Sequence, residues 1–158
     1  MIMNFKNIKP STFNGKFYEE FARVMAKVGK KSESHQKKPN QLETIRFTSC
    51  EIDWDLFPQE LATYSDKGLT LAFMQCGIND QNIEAVIGRL QPLENLKVLN
   101  LALNDISKEK LEFLTQTFST EGALSHVEEV HLTNNRIDEY DLIEAFEPIE
   151  AGRKFKVY

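Results

Sequence analysis

The sequence predicts an α/β fold: a short solenoid of about four repeats, with a parallel sheet on its concave face, helices on its convex face and an N-terminal helical cap. Three observations predict it. Four segments of the 158-residue chain align without gaps at nearly regular intervals. Within each segment, apolar residues alternate with the two-residue period of a strand. Between the segments, apolar residues recur at helical spacing.

Charge divides the chain in two. Residues 1–41 carry nine Lys/Arg and three Asp/Glu, a net +6, whereas residues 42–158 carry ten and twenty-one, a net −11. This shift marks a boundary between an N-terminal helical cap with a basic linker (1–41) and a repeat domain with its own C-terminal cap (42–158). In the first part, residues 12–28 place Phe17, Phe21, Val24, Met25 and Val28 along one helical face. An open stack of repeats needs such a cover. A basic amphipathic helix is also able to lie on a membrane or enter a partner's groove. Residues 29–41, with four lysines among polar residues, read as a linker, with an anionic-lipid or nucleic-acid patch as the alternative.

The aligned segments are LETIRFTSCEI (42–52), GLTLAFMQCGI (68–78), LKVLNLALNDI (96–106) and VEEVHLTNNRI (127–137). Only Gly68 breaks the apolar pattern, and Leu69 stands beside it. Strand alternation turns Ile45 and Phe47, Leu71 and Phe73, Leu99 and Leu101, and Val130 and Leu132 inward. Ile52, Ile78, Ile106 and Ile137 then return the chain to the core. Cys50, Cys76, Asn104 and Asn135 occupy the position where the backbone leaves the strand, at spacings of 26, 28 and 31 residues. Asn there satisfies amide and carbonyl groups that the turn leaves unpaired, and Cys is small and tolerates burial.

Helices are expected between the strands. Asn82–Leu90 offers Ile83, Val86, Ile87 and Leu90 to the core. Lys108–Phe118 offers Leu111, Leu114 and Phe118, with Ser107 as N-cap, and Glu139–Phe146 offers Leu142, Ile143 and Phe146, with Asp138 as N-cap. After the first strand, Pro58 interrupts Asp53–Tyr64, and a helix starting near Pro58 is expected. In the tail, Phe155 and Val157 alternate with Lys154 and Lys156, as in a closing strand. The acidic helix before it reads as a solvated face. Glutamate-rich C-terminal segments also resemble export signals of some bacterial effector proteins.

The pattern LxxLxLxx(N/C)xI, with long helical segments at a period near 28, resembles the ribonuclease-inhibitor-like leucine-rich-repeat proteins over residues 42–146. The resemblance implies a non-catalytic module that grips another protein with its concave face. Four repeats make a short arc that reaches one lobe or loop of a partner. A chain of this size and style also resembles the small effectors that intracellular bacteria deliver into host cells.

The remaining residues narrow the function by chemistry. An apolar fraction of 41% and a charged fraction of 27% suit a water-soluble domain. No stretch approaches the ~18 consecutive apolar residues of a membrane span, and the start lacks the apolar core of a secretory signal. Two cysteines are too few for a disulfide framework, so a reducing compartment is expected: the cytoplasm, or the host cytosol after secretion. Cys50 and Cys76 share one slot in neighbouring repeats. Strands about 4.8 Å apart put a bridge within geometric reach, while burial favours inert thiols. His35, His126 and His131 have no zinc-site spacing, and neither a phosphate-binding glycine loop nor a nucleophile–base set is present. No catalytic residue, metal site or cofactor is assigned. The acidic repeat domain argues against binding along a phosphate backbone.

The concave face is the surface that remains. Its columns are Arg46, Ala72, Asn100 and His131; then Thr48, Met74, Ala102 and Thr133; then Ser49, Gln75, Leu103 and Asn134. Ala72, Met74, Ala102 and Leu103 form an expected exposed apolar patch inside a polar rim, the anatomy of a protein interface. The expected partner contacts are Arg46, Thr48, Met74, Gln75, Asn100, Leu103, His131 and Asn134. The expected partner is a host protein or another bacterial effector, bound by a chain that is monomeric on its own. The alternative is a substrate-recognition adaptor of a larger enzyme complex such as a ubiquitin ligase, docked through its basic N-terminal segment.

Overall fold

The computed structural model describes residues 1–8, 15–30, 42–58, 61, 65 and 68–158. It is an α/β structure with one six-stranded sheet and four helices. The strands are β1 (Ile2–Lys6), β2 (Thr44–Thr48), β3 (Leu69–Met74), β4 (Leu96–Asn100), β5 (Glu129–His131) and β6 (Lys156–Val157). All pair in parallel and in chain order, so each strand's neighbours in the sheet are its neighbours in sequence. The helices are α1 (Gly15–Lys30), α2 (Ile83–Leu90), α3 (Leu111–Phe118) and α4 (Glu139–Gly152). Among the described residues, no helix is long and apolar enough to cross a membrane.

The core lies on one side of the sheet. Ile45, Phe47, Leu71, Phe73, Leu99, Leu101, Val130 and Leu132 are all buried there, as strand alternation requires. Phe47 stacks on Phe73 at 5.3 Å between ring centroids and on Phe5 of β1 at 5.0 Å. Three aromatic rings thus pack in file across adjacent strands. Ile83, Val86, Ile87 and Leu90 of α2 are buried as their spacing requires. Ser107 accepts from the Glu109 amide to open the 3-10 turn Lys108–Lys110 ahead of α3. Asp138 accepts from the Asp141 amide at 2.9 Å and caps α4. The tail forms the expected closing strand, with Phe155 buried and Val157 beside Val130.

Gly68 has a conformational reason. Its φ is +111°, and a Cβ there would stand 2.6 Å from Lys97 Cγ. The register shifts at Leu69/Thr70, which sets Leu69 opposite Leu96, and Leu69 is fully buried. A bulge therefore moves Leu69 into the slot that Gly68 leaves empty.

Several expectations need correction. The N-terminal part is more than a helix: β1 extends the sheet, and its alternation of Met3 and Phe5 spans only five residues, too few to stand out in the sequence. The described helix, Gly15–Lys30, runs two residues past Val28, and residues 12–14 lie outside the described residues. Tyr18 and Phe21 are its buried anchors, while Val24 is exposed. The side chains of Met25 and Val28, and residues 31–41 with His35, lie outside the described residues. Before Pro58 the chain makes a 3-10 turn, Trp54–Leu56, capped by Asp53. The helix expected after Pro58 falls largely outside the described residues. Helix α4 continues past Phe146, through Pro148, to Gly152. Ile143 on that helix faces solvent, because the buried stripe runs through Leu142 and Phe146, four residues apart.

Candidate functional site: the open face of the sheet

Five equivalent positions beyond the ends of β1 to β5 have an unusual backbone. Asn7, Ser49, Gln75, Leu103 and Asn134 are in register across β1 to β5, and all have φ between 53° and 61°. This left-handed turn sends the chain from the sheet toward the core, and the next residue anchors it. The Asn104 Oδ1 accepts from the Cys76 amide (3.0 Å) and the Ile78 amide (3.2 Å). Its Nδ2 donates to the carbonyls of Phe73 (2.6 Å) and Leu101 (2.9 Å). One side chain so satisfies two adjacent turns. Asn135 repeats the pattern, accepting from the Ile106 amide and donating to the carbonyls of Leu101 and Leu132.

The cysteines do the smaller version of the same work. The Cys50 thiol donates to the Thr48 carbonyl, and the Cys76 thiol to the carbonyls of Phe47 and Met74. Both are buried and unbridged. Burial pushes the Cys76 thiol up to about 11, so it stays protonated at neutral pH.

The second side of the sheet faces away from the core. Register places Asn4, Arg46, Ala72, Asn100, His131 and Tyr158 in one row across the six strands. The next row runs Lys6, Thr48, Met74, and continues to Ala102 and Thr133. The row of left-handed residues follows. All eight expected contact residues therefore share this face or its border.

Their surroundings differ. Arg46 is exposed and, among the described residues, makes no ion pair. Thr48 and Met74 are partly exposed, and Gln75 is exposed, where its Oε1 accepts from the Ser49 hydroxyl at 3.0 Å. Asn100 folds back, its Oδ1 accepting from the Ala102 amide at 2.9 Å. Leu103 is 43% exposed. His131 stacks on Tyr158 at 4.7 Å, and its Nε2 stands 2.6 Å from Glu129 Oε1. Asn134 is exposed.

The apolar patch is smaller than expected. Ala72 and Ala102 are buried, because a methyl group does not reach past the longer side chains on either side. They form a low floor between Met74 and Leu103, which stand above it.

Residues beyond the expected set also belong to this face. Asn4 and Lys6 arrive with β1, and Tyr158 and Lys156 with β6. The alternation of MNFK held the signal for the first pair. Below the open face, Arg136 pairs with Asp105 (2.9 Å) and with Asp80 (3.1 Å), and the Asp80 Oδ1 accepts from the Ser107 amide. That amide and the Ser107 hydroxyl lower the Asp80 carboxyl from its ordinary range. Among the described residues, no cluster of His, Cys, Asp and Glu is arranged to hold a metal ion. No protein-family model, curated protein or solved structure matches the chain.

Proposed function

We propose that the chain is a short leucine-rich-repeat module of the ribonuclease-inhibitor-like type, which binds a protein partner on the open, concave face of its sheet and regulates it by covering it. On this reading it is not an enzyme and works in the cytoplasm, or in a host cytosol as a bacterial effector. The anchor network of Asn104, Asn135, Cys50 and Cys76, repeated at equivalent strand ends, supports the repeat reading.

One observation carries the functional reading. Leu103 holds φ +61° and is 43% exposed. A left-handed backbone costs a leucine about 1–2 kcal/mol, and an apolar side chain gains nothing in water. Asn fills the same turn position at Asn7 and Asn134. An unfavourable residue at a position where the chain itself uses a favourable one is accounted for by a contact made outside the fold.

The test is affinity capture with the intact chain as bait beside Met74→Asp/Leu103→Asp. The double variant is expected to fold normally and lose the partner. Equal capture by both would move the working surface elsewhere. The burial of Phe21 and Tyr18, with the Tyr18 hydroxyl donating to the Asp53 carbonyl, favours a cap over the docking arm that an adaptor would need.

A further inference from the structure

We infer that the occupant of the open face is an acidic protein segment: one or two carboxylates beside a large apolar side chain. The inference deepens the binding reading above and rests on it.

Residues 42–158 carry ten Lys/Arg among twenty-one Asp/Glu, so a cation without a partner is conspicuous. Arg89, Lys97, Lys108, Lys110, Arg136 and Lys154 are all within 4.0 Å of a carboxylate. Arg153 donates to three backbone carbonyls. Among the described residues of this part, that leaves Arg46 and Lys156 unpaired.

Both lie on the open face. Arg46 is in register with Ala72, and Lys156 is in register with Glu129, whose neighbour Val130 points into the core. From β1, Lys6 joins Arg46 as its diagonal neighbour and, among the described residues, also has no carboxylate partner. Arg46 and Lys156 stand four strands apart, about 19 Å. Between them the row of Arg46 crosses Ala72, Asn100 and His131, and Met74, Ala102 and Leu103 lie beside that row toward the strand ends.

This geometry selects a partner chemistry. A carboxylate near Lys6 and Arg46 completes the pairing that the acidic chain withholds from them. An apolar side chain two or three residues further along reaches the floor between Met74 and Leu103. A nucleic acid would bring a phosphate at every step into the field of the net −11 domain, whereas a short acidic segment brings one or two charges.

The test is selection of a phage-displayed library of random short peptides on the immobilised full chain. The peptides that emerge are then measured by titration against the intact chain, Lys6→Glu/Arg46→Glu and Met74→Asp/Leu103→Asp, each checked for an unchanged thermal transition. Selected peptides are expected to join Asp or Glu to Leu, Met or Phe, and to bind more weakly as salt rises. Binding is expected to fall about fivefold or more in the charge-reversed variant and to vanish in the apolar one. Peptides without acidic bias that ignore the charge reversal, yet are lost with Met74→Asp/Leu103→Asp, would overturn the acidic partner and leave the open-face reading standing. Peptides indifferent to both variants would overturn both. Selection of basic peptides, displacement by a single-stranded oligonucleotide, or no selection at all would overturn the acidic segment.

Discussion

At the scale of the residue, the same turn is solved five times with different side chains, and the differences are informative. Asn7 and Asn134 suit the left-handed region; Ser49, Gln75 and Leu103 do not. Replacing Leu103 with Asn is therefore expected to stabilise the fold by about 0.5–1 kcal/mol, since it removes backbone strain and exposed apolar surface together. Urea unfolding measures this as a higher midpoint with an unchanged slope, and partner binding is expected to weaken in the same variant. A lower midpoint would mean that Leu103 packs usefully within the fold, and its exposure would then need no partner. The left-handed turn was hidden in the sequence, because Leu, Gln and Ser carry no signal for it. The anchors were legible: a side chain buried at this turn either satisfies the backbone groups, as Asn does, or is small, as Cys is, and both solutions recur at nearly regular spacing.

At the scale of the element, ends matter more than middles. Arg153 caps the end of α4 and is partly buried, with no carboxylate paired to it among the described residues. Its NH1 donates to the carbonyls of Ser125 and Val127, and its NH2 to that of Phe118, each at 2.7 Å. The guanidinium also lies 4.6 Å from the Phe155 ring centre. The fork thus fastens the last helix and β6 to the loop after α3. Arg153→Lys is expected to cost about 2–3 kcal/mol, since an ammonium lacks the fork that reaches all three carbonyls and leaves at least one of them unpaired. Thermal unfolding of the variant reads this directly, and an unchanged transition would reduce the fork to a surface contact. Nothing in the one-dimensional pattern marks Arg153, because its three partners are 26 to 35 residues away. Helix periodicity, by contrast, did mark the buried faces of α2 and α3. Ile143 is the exception, exposed one residue off the stripe of Leu142 and Phe146, and at β1 five residues are too short a window for strand alternation to stand out.

At the scale of the whole molecule, a sheet whose strands pair only with chain neighbours has no distant contact to hold it closed. Its ends must be covered by whatever lies next in sequence. At the β2 end this cover is β1 and α1: Phe5 stacks on Phe47, Phe21 lies 5.9 Å from Phe5, and Tyr18 and Phe21 are buried. Each buried aromatic contributes about 1.5–3 kcal/mol. The two of them amount to about 3–6 kcal/mol, a large part of the 5–15 kcal/mol by which a domain of this size is stable. Removal of residues 1–38 would also bare the β2 edge and its unpaired amides and carbonyls. The shortened chain is therefore expected to lose its cooperative unfolding transition and its near-ultraviolet dichroism, and to bind hydrophobic dyes. Any partner would be lost with the fold rather than separately from it. A truncated chain that unfolds cooperatively and loses one partner while keeping another would identify the N-terminal part as a docking arm, the arrangement an adaptor requires.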